Sequence, residues 1–173
     1  MTTIDFTRID LRDALDLAII IEEEAKERYA AFTRIVGGRY AGDATEVFRR
    51  MAINEEKHGT QLAELRRSLF ADAPRRVTRD QVDEVEAPDW GRVRVTMSAR
   101  RAMEIAIESE TKAWEFFSEA SRAATDPKVR RLFMDLREEE REHREMLQRR
   151  LPDFPAEVGI DEDPAEEAGS DPG

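Results

Sequence analysis

Along four separate stretches of the chain, apolar and small residues recur in alternating steps of four and three. The first stretch carries Leu11, Leu15, Ala18, Ala25, Tyr29, Phe32 and Val36 in this register. The second carries Phe48, Met51, Leu62, Leu65 and Leu69. The third carries Ala99, Met103, Ala106, Ala113, Phe117 and Ala120, and the fourth Val129, Phe133, Leu136, Leu147 and Leu151. This spacing gathers the apolar residues on one stripe of an α-helix, as in helices that pack side by side in a bundle.

The ends of the stretches carry matching signals. Asp10 stands before Leu11 as a helix cap, and Gly37-Gly38 stops the first helix. Asp43-Ala44-Thr45-Glu46 has the form of a capping box opening the second helix, which is expected to end near Phe70, before Ala73-Pro74. The third helix is expected from near Ser98. Asp126-Pro127 caps the fourth, and Pro152 and Pro155 stop it. Residues 71–97, with Pro74, Pro88 and Gly91, read as one extended connection. A loop of that length is unusual in a compact domain. It is expected where helices 2 and 3 run parallel, because the chain must then travel the length of the bundle. The predicted fold is therefore all-α: an antiparallel four-helix bundle of two helical hairpins joined by one long crossover, the ferritin-like arrangement. The bundle is assigned to residues 1–154, and residues 155–173 to an acidic tail expected to be disordered.

Each stripe is interrupted near its middle by polar residues. The slots are Glu22 in helix 1, Glu55 and His58 in helix 2, Glu110 in helix 3, and Glu140 and His143 in helix 4. His58 and His143 are the chain's 2 histidines. Each stands three residues after a glutamate, so both side chains of each Glu-x-x-His pair point to one face. The halves repeat: Ala18, Glu22, Ala25 and Tyr29 match Ala106, Glu110, Ala113 and Phe117, and Phe48, Glu55 and His58 match Phe133, Glu140 and His143. At ~1.5 Å rise per residue, the six polar slots fall at nearly one level once the helices are antiparallel.

A single polar residue in a core stripe can simply set register. Four carboxylates in one apolar layer are different, because burial and mutual repulsion both oppose their ionisation. Two divalent cations would balance them. Oxygen-rich sites with imidazole suit iron or manganese and also admit zinc. Glu22, Glu55, His58, Glu110, Glu140 and His143 are thus the predicted ligands of two metal ions. Glu55 and Glu140 would each bind one metal or bridge the pair, and spacing alone does not say which. Tyr29, two turns beyond Glu22 on the same face, either contacts the centre as a hydrogen-bonding or electron-transfer residue or is a packed core tyrosine.

The whole-chain totals narrow the setting. In 173 residues there are 0 cysteines, which removes disulfides, thiolate ligands and a cysteine nucleophile. A net charge of −11 argues against nucleic acid as a partner. The longest apolar run, Leu17–Ile21, is too short to span a bilayer, and the first residues have no leader pattern. A cytoplasmic location is the expectation. Ile19, Ile20 and Ile21 give helix 1 a second apolar face. That face implies a homodimer or larger homo-oligomer, unless the long connection covers it.

At Glu22-x-x-Ala25-x-x-x-Tyr29, Glu55-x-x-His58, Glu110-x-x-Ala113 and Glu140-x-x-His143, the chain resembles the rubrerythrin-like branch of the ferritin superfamily. The resemblance covers about residues 10–151. It implies a carboxylate-bridged centre of two iron ions that reacts with hydrogen peroxide or dioxygen, in peroxide detoxification or ferrous iron oxidation. Two departures stand out. Rubrerythrins proper hold a cysteine-ligated iron site that feeds electrons to the centre; with no cysteine, this chain would need a separate electron-donor protein. Rubrerythrins also tend to have a glutamate three residues after the helix-3 ligand, where this chain has Ala113. The expected function is a di-iron carboxylate oxidoreductase. The alternatives are an iron store, carrier or sensor, or a redox-silent zinc or manganese site.

Overall fold

Asp10 caps the first helix as its position suggests: its Oδ1 accepts a hydrogen bond from the backbone N–H of Asp13 at 3.0 Å. In the computed structural model of the protein, which describes residues 4–36, 42–82, 85–95 and 97–154, four long helices follow. They are α1 (Leu11–Val36), α2 (Gly42–Phe70), α3 (Ala99–Ala123) and α4 (Pro127–Arg150). Ser98 caps α3 by accepting from the N–H of Arg101. Asp126 caps α4 by accepting from the N–H groups of Lys128 and Val129, with Pro127 in the first turn where no N–H is needed. Short 3₁₀ turns punctuate the connection at Arg79–Gln81 and Trp90–Arg92 and close α4 at Leu151–Asp153. Among the described residues there is no strand. Gly37-Gly38, the side chain of Asp43 and the acidic tail from residue 155 lie outside the described residues.

Two buried clusters fix the helix directions. One joins Leu15 and Ala18 of α1 to Leu62 late in α2, Phe117 and Ala120 late in α3, and Val129, Phe133 and Leu136 early in α4. The other joins Tyr29 and Phe32 of α1 to Phe48 and Met51 early in α2, Met103 and Ala106 early in α3, and Leu147 late in α4. α1 therefore runs against α2 and α3 and along α4, while α2 and α3 are parallel. This is the ferritin-like bundle with one long crossover. Burying a side chain of this size removes it from water at a gain of roughly 1.5–3 kcal/mol, so both ends of the bundle are held independently. The polar slots fall between the two clusters.

The internal repeat is visible in the packing. Tyr29 stacks on Phe48 with centroids 6.1 Å apart and 29° between planes. The matching pair, Phe117 and Phe133, has the same separation, 6.1 Å, and the same angle, 29°.

Three details differ from the sequence reading. Leu65 and Leu69 are exposed, at 44% and 51%. The buried face of α2 instead continues from Leu62 to Arg66, which is 8% exposed and bound to Asp16 of α1. The helix turns a polar residue inward because a buried partner waits for it. The isoleucine face of α1 is covered within the chain: Ile19, Ile20 and Ile21 lie in one buried cluster with Val77, Val82 and Val85 of the connection. That face therefore offers no surface for a second copy. Finally, α2 begins at Gly42, before the expected box, and Glu46 bonds the side chains of Arg49 and Arg50.

The connection lies along α1. Arg76 pairs with Asp10 and Asp13, Arg75 with Glu23 at 2.9 Å, and Arg79 with Glu27 at 2.8 Å. Exposed pairs of this kind stabilise little on their own. The buried valines carry the packing, and the ion pairs hold the segment in line.

Candidate metal centre

All six predicted residues meet in the layer between the two apolar clusters. Glu22, Glu55, Glu110 and Glu140 are 0–1% exposed. The helical frame explains the convergence, since each occupies a slot of the apolar stripe and must point inward with it. The layer divides into two halves. On one side, His58 Nδ1 lies 3.9 Å from Glu22 Oε2 and 3.8 Å from Glu55 Oε2. On the other, His143 Nδ1 lies 3.3 Å from Glu110 Oε2 and 3.5 Å from Glu140 Oε2. One donor atom from each of Glu110, Glu140 and His143 falls within 4.8 Å of the others, and the same is true of Glu55, His58 and His143.

A carboxylate that the sequence reading missed joins the layer. Glu86, in the connection, is 1% exposed and groups within 4.8 Å with Glu22 and Glu55. The connection has no helical period, so nothing in its pattern says which way a side chain faces. The available hint is composition: Val82, Val85 and Ala87 flank Glu86, and all three are buried.

Electrostatics make this layer untenable as a bare core. Both carboxylate oxygens of Glu22, Glu55, Glu86, Glu110 and Glu140, and Nδ1 of both histidines, are buried without a hydrogen-bond partner among the described residues. An unpaired buried polar atom costs about 1–3 kcal/mol, more when charged. Burial raises the carboxyl pKa values first, and neighbouring charge raises them further. Glu22 and Glu55 are pushed well above the usual range by burial and then by the charge of Glu86, and Glu110 likewise. Glu86 is pushed up by burial and then by Glu140, and Glu140 by burial to about 8. His58 moves the other way, to about 4, because burial disfavours its cation and His143 repels it. Imidazole nitrogens beside clustered carboxylates are a donor set for divalent cations of the iron and manganese kind. The residues fit a metal pair, and the orphaned oxygens are what such a pair would satisfy.

Tyr29, in the apolar cluster next to the layer, is fully buried, with its hydroxyl unpartnered among the described residues. Its pKa is held well above the normal tyrosine value by burial, then by the charges of Glu110, Glu55 and Glu86. It therefore stands beside the layer as a neutral phenol. Its counterpart in the repeat, Phe117, has no hydroxyl, so Tyr29 and Glu86 both break the twofold likeness of the halves. Trp114 lies under Arg144 of α4, whose guanidinium carbon is 5.0 Å from the ring centroid.

A surface cavity of about 310 Å³ between α1 and α2 reaches the wall of the layer. It is lined by Glu22 and Glu55 at its inner end and by Glu23, Lys26, Glu56 and Thr60 further out. Among the described residues, no helix is long and apolar enough to cross a membrane.

Comparison with known proteins agrees with the fold. A family model described as Rubrerythrin matches residues 13–151. No match was found among curated proteins. Among solved structures, the chain is similar to an uncharacterized conserved protein from Magnetospirillum magnetotacticum MS-1. The TM-score is 0.68 and the identity 28%, over 87% of this chain and 99% of that one. It is also similar to a hypothetical protein from Pyrococcus furiosus, with a TM-score of 0.52 and 19% identity over 84% and 92% of the two chains. A third similar structure is the dodecameric thioferritin of Bacteroides fragilis, with a TM-score of 0.51 and 21% identity over 83% and 84%. At these identities the last two speak for the shared fold alone.

Proposed function

The chain belongs to the rubrerythrin family, and from that premise we propose that its central layer holds two iron ions and works as an oxidoreductase toward hydrogen peroxide or dioxygen. The observation that carries the reading is the convergence of four helix carboxylates and two imidazole nitrogens, all buried and all without another partner among the described residues. Glu22, Glu55 and His58 would hold one ion, and Glu110, Glu140 and His143 the other. Bound iron would supply a reversible one-electron change at each ion.

The protein's own groups set the conditions for that chemistry. Burial keeps His58 neutral and available as a donor at physiological pH. The apolar clusters above and below exclude water, so the fixed charges act at low dielectric. Tyr29 keeps its proton beside Glu110 and Glu55, in position to donate a hydrogen bond into the layer. The cavity between α1 and α2 brings polar surface up to the buried Glu22 and Glu55, and a small oxidant or an incoming ion would approach the layer from that side. With 0 cysteines, the chain has no thiolate iron site of its own, and reducing electrons would come from a separate donor protein.

Anaerobic Fe(II) titration followed by rapid mixing tests the reading. About two Fe(II) per chain, and fast oxidation by peroxide, are the expected results for a peroxidase. Faster reaction with dioxygen and renewed iron uptake in each cycle would make the protein a ferroxidase serving storage, and a cage-sized particle in sedimentation would agree with that. Failure to bind Fe(II) in the bundle, with tight uptake of zinc or manganese instead, would defeat the iron reading.

A further inference from the structure

The helices alone account for four carboxylates, and the layer contains five. The additional one, Glu86, arrives from the connection between α2 and α3. We propose that Glu86 is a further carboxylate ligand of the metal centre, on the side of Glu22, Glu55 and His58, so that metal binding also fastens the connection to the bundle. This rests on the two-metal reading above.

The backbone on either side of Glu86 is pinned. The Ala87 carbonyl accepts from Lys112 Nζ of α3 at 3.2 Å. The Pro88 carbonyl accepts from the Arg28 guanidinium of α1. That guanidinium also lies over Trp90, 4.4 Å from the ring centroid, and Trp90 packs edge-on against Phe32 at 5.5 Å. Val85 and Ala87 are buried. The segment is thus clamped between α1 and α3 just where Glu86 turns inward.

Both cations of the clamp donate to backbone carbonyls, and neither donates a hydrogen bond to the Glu86 carboxylate. A structural role for Glu86 would call for a donor of that kind, because a buried carboxylate without one is strongly unfavourable. No donor outside the carboxyl cluster is found among the described residues, whereas Glu22 and Glu55 lie within one coordination sphere of it. Shared binding of a cation is the arrangement that would satisfy all three.

The consequence is an unequal pair. The His58 half would have three carboxylates and the His143 half two. Four carboxylates balance two divalent ions, so a fifth adds a negative charge that favours the more highly charged, oxidised pair. Glu86→Gln should therefore raise the reduction potential of the centre as well as weaken metal binding.

The test uses the full chain, wild type beside Glu86→Gln, Glu86→Ala and Glu55→Ala. Two measurements are made: anaerobic Fe(II) titration, and amide hydrogen exchange over residues 85–93 with and without Mn(II). In the wild type, Mn(II) should slow exchange in that segment. In both Glu86 variants the slowing should disappear and one of the two Fe(II) should bind at least about tenfold more weakly. Circular dichroism of the metal-free Glu86→Gln protein is the check that it is folded, and that variant removes a charge without changing side-chain shape. Wild-type affinity for both ions together with retained protection at 85–93 in Glu86→Gln would overturn the inference. If that result came with weakened binding in Glu55→Ala, the two-metal reading would stand and only the role of Glu86 would fall. A wild type that takes up neither Fe(II) nor Mn(II) would remove both.

Discussion

The imidazole rings of His58 and His143 lie face to face, parallel to within 1° and with centroids 4.8 Å apart. Each turns Nδ1 toward the carboxylates of its own helix pair, Glu22 and Glu55 for one and Glu110 and Glu140 for the other. Two cations could not stack so closely in a buried layer, and burial with His143 as neighbour holds His58 neutral down to about pH 4. On the two-metal reading the rings would therefore serve as matched donors, one to each half. Replacing either histidine by alanine should reduce Fe(II) uptake from about two ions per chain to about one, and replacing both should remove it. Stoichiometry from anaerobic titration decides this. Two ions still bound tightly in either single variant would show that the imidazoles are not ligands.

The buried carboxyls give the metal-free protein an unusual pH dependence. Each has a folded pKa above its ordinary value of 4.5, and Glu140 is raised to about 8. A group with a raised folded pKa holds its proton more tightly folded than unfolded. Its contribution is complete below pH 4.5 and is lost as pH rises through the folded value. His58 works the other way between pH 6.5 and about 4, losing its contribution as pH falls. Above pH 6.5 only the carboxyls act, at about 1.4 kcal/mol per pH unit for each proton retained. Thermal unfolding of chelator-treated protein should show Tm falling from pH 6.5 to 8. Mn(II)-loaded protein should show a higher and flatter Tm, and loading at pH 7 should release protons. A metal-free Tm that stays level or rises over that interval would contradict the assignment.

Much of this arrangement can be read from spacing, and the rest fails for identifiable reasons. Glu22, Glu55, His58, Glu110, Glu140 and His143 are readable because helices impose a period, and a polar residue in a slot of the stripe has to face the core. Leu65 and Leu69 mislead because Arg66 takes the inward position that the stripe assigns to them, and its partner, Asp16, lies 50 residues away in α1. The isoleucine face of α1 suggests a second copy because its true cover, Val77, Val82 and Val85, sits in a segment with no period. Glu86 is hidden by the same lack of pattern: a glutamate in an acidic loop reads as solvated until the loop is seen to pack.

Asp16 and Arg66 form the buried ion pair that anchors the start of the connection. Arg66 also donates to the Ala73 carbonyl at 2.9 Å, and Asp16 accepts from the Arg76 N–H at 3.2 Å. Asp16→Ala strands a guanidinium that is 10% exposed, and breaking a buried pair from one side costs about 3–5 kcal/mol. Denaturant unfolding should show a loss of that order. Asp16→Leu combined with Arg66→Met should recover much of it, since apolar side chains of similar size leave no stranded charge. A single variant within 1 kcal/mol of the parent, on the order expected for exposed pairs, would mean that water reaches the pair.

Gly59 allows α1 and α2 to approach at the level of the polar layer. A Cβ built on it would stand 3.3 Å from the Cβ of Glu22, closer than ordinary contact. Both atoms belong to rigid helical backbones, so the two helices, not a flexible side chain, would have to give. Alanine in place of glycine inside a helix gains about 1 kcal/mol of propensity, which offsets the strain in the metal-free state. Gly59→Ala should therefore keep metal-free stability within about 1 kcal/mol of the parent and weaken Fe(II) binding, because Glu22 shifts away from Glu55 and His58. Isothermal titration alongside denaturant unfolding separates the two effects. Unchanged affinity at unchanged stability would show that the layer tolerates the displacement and that the close approach at Gly59 does not set the geometry of the centre.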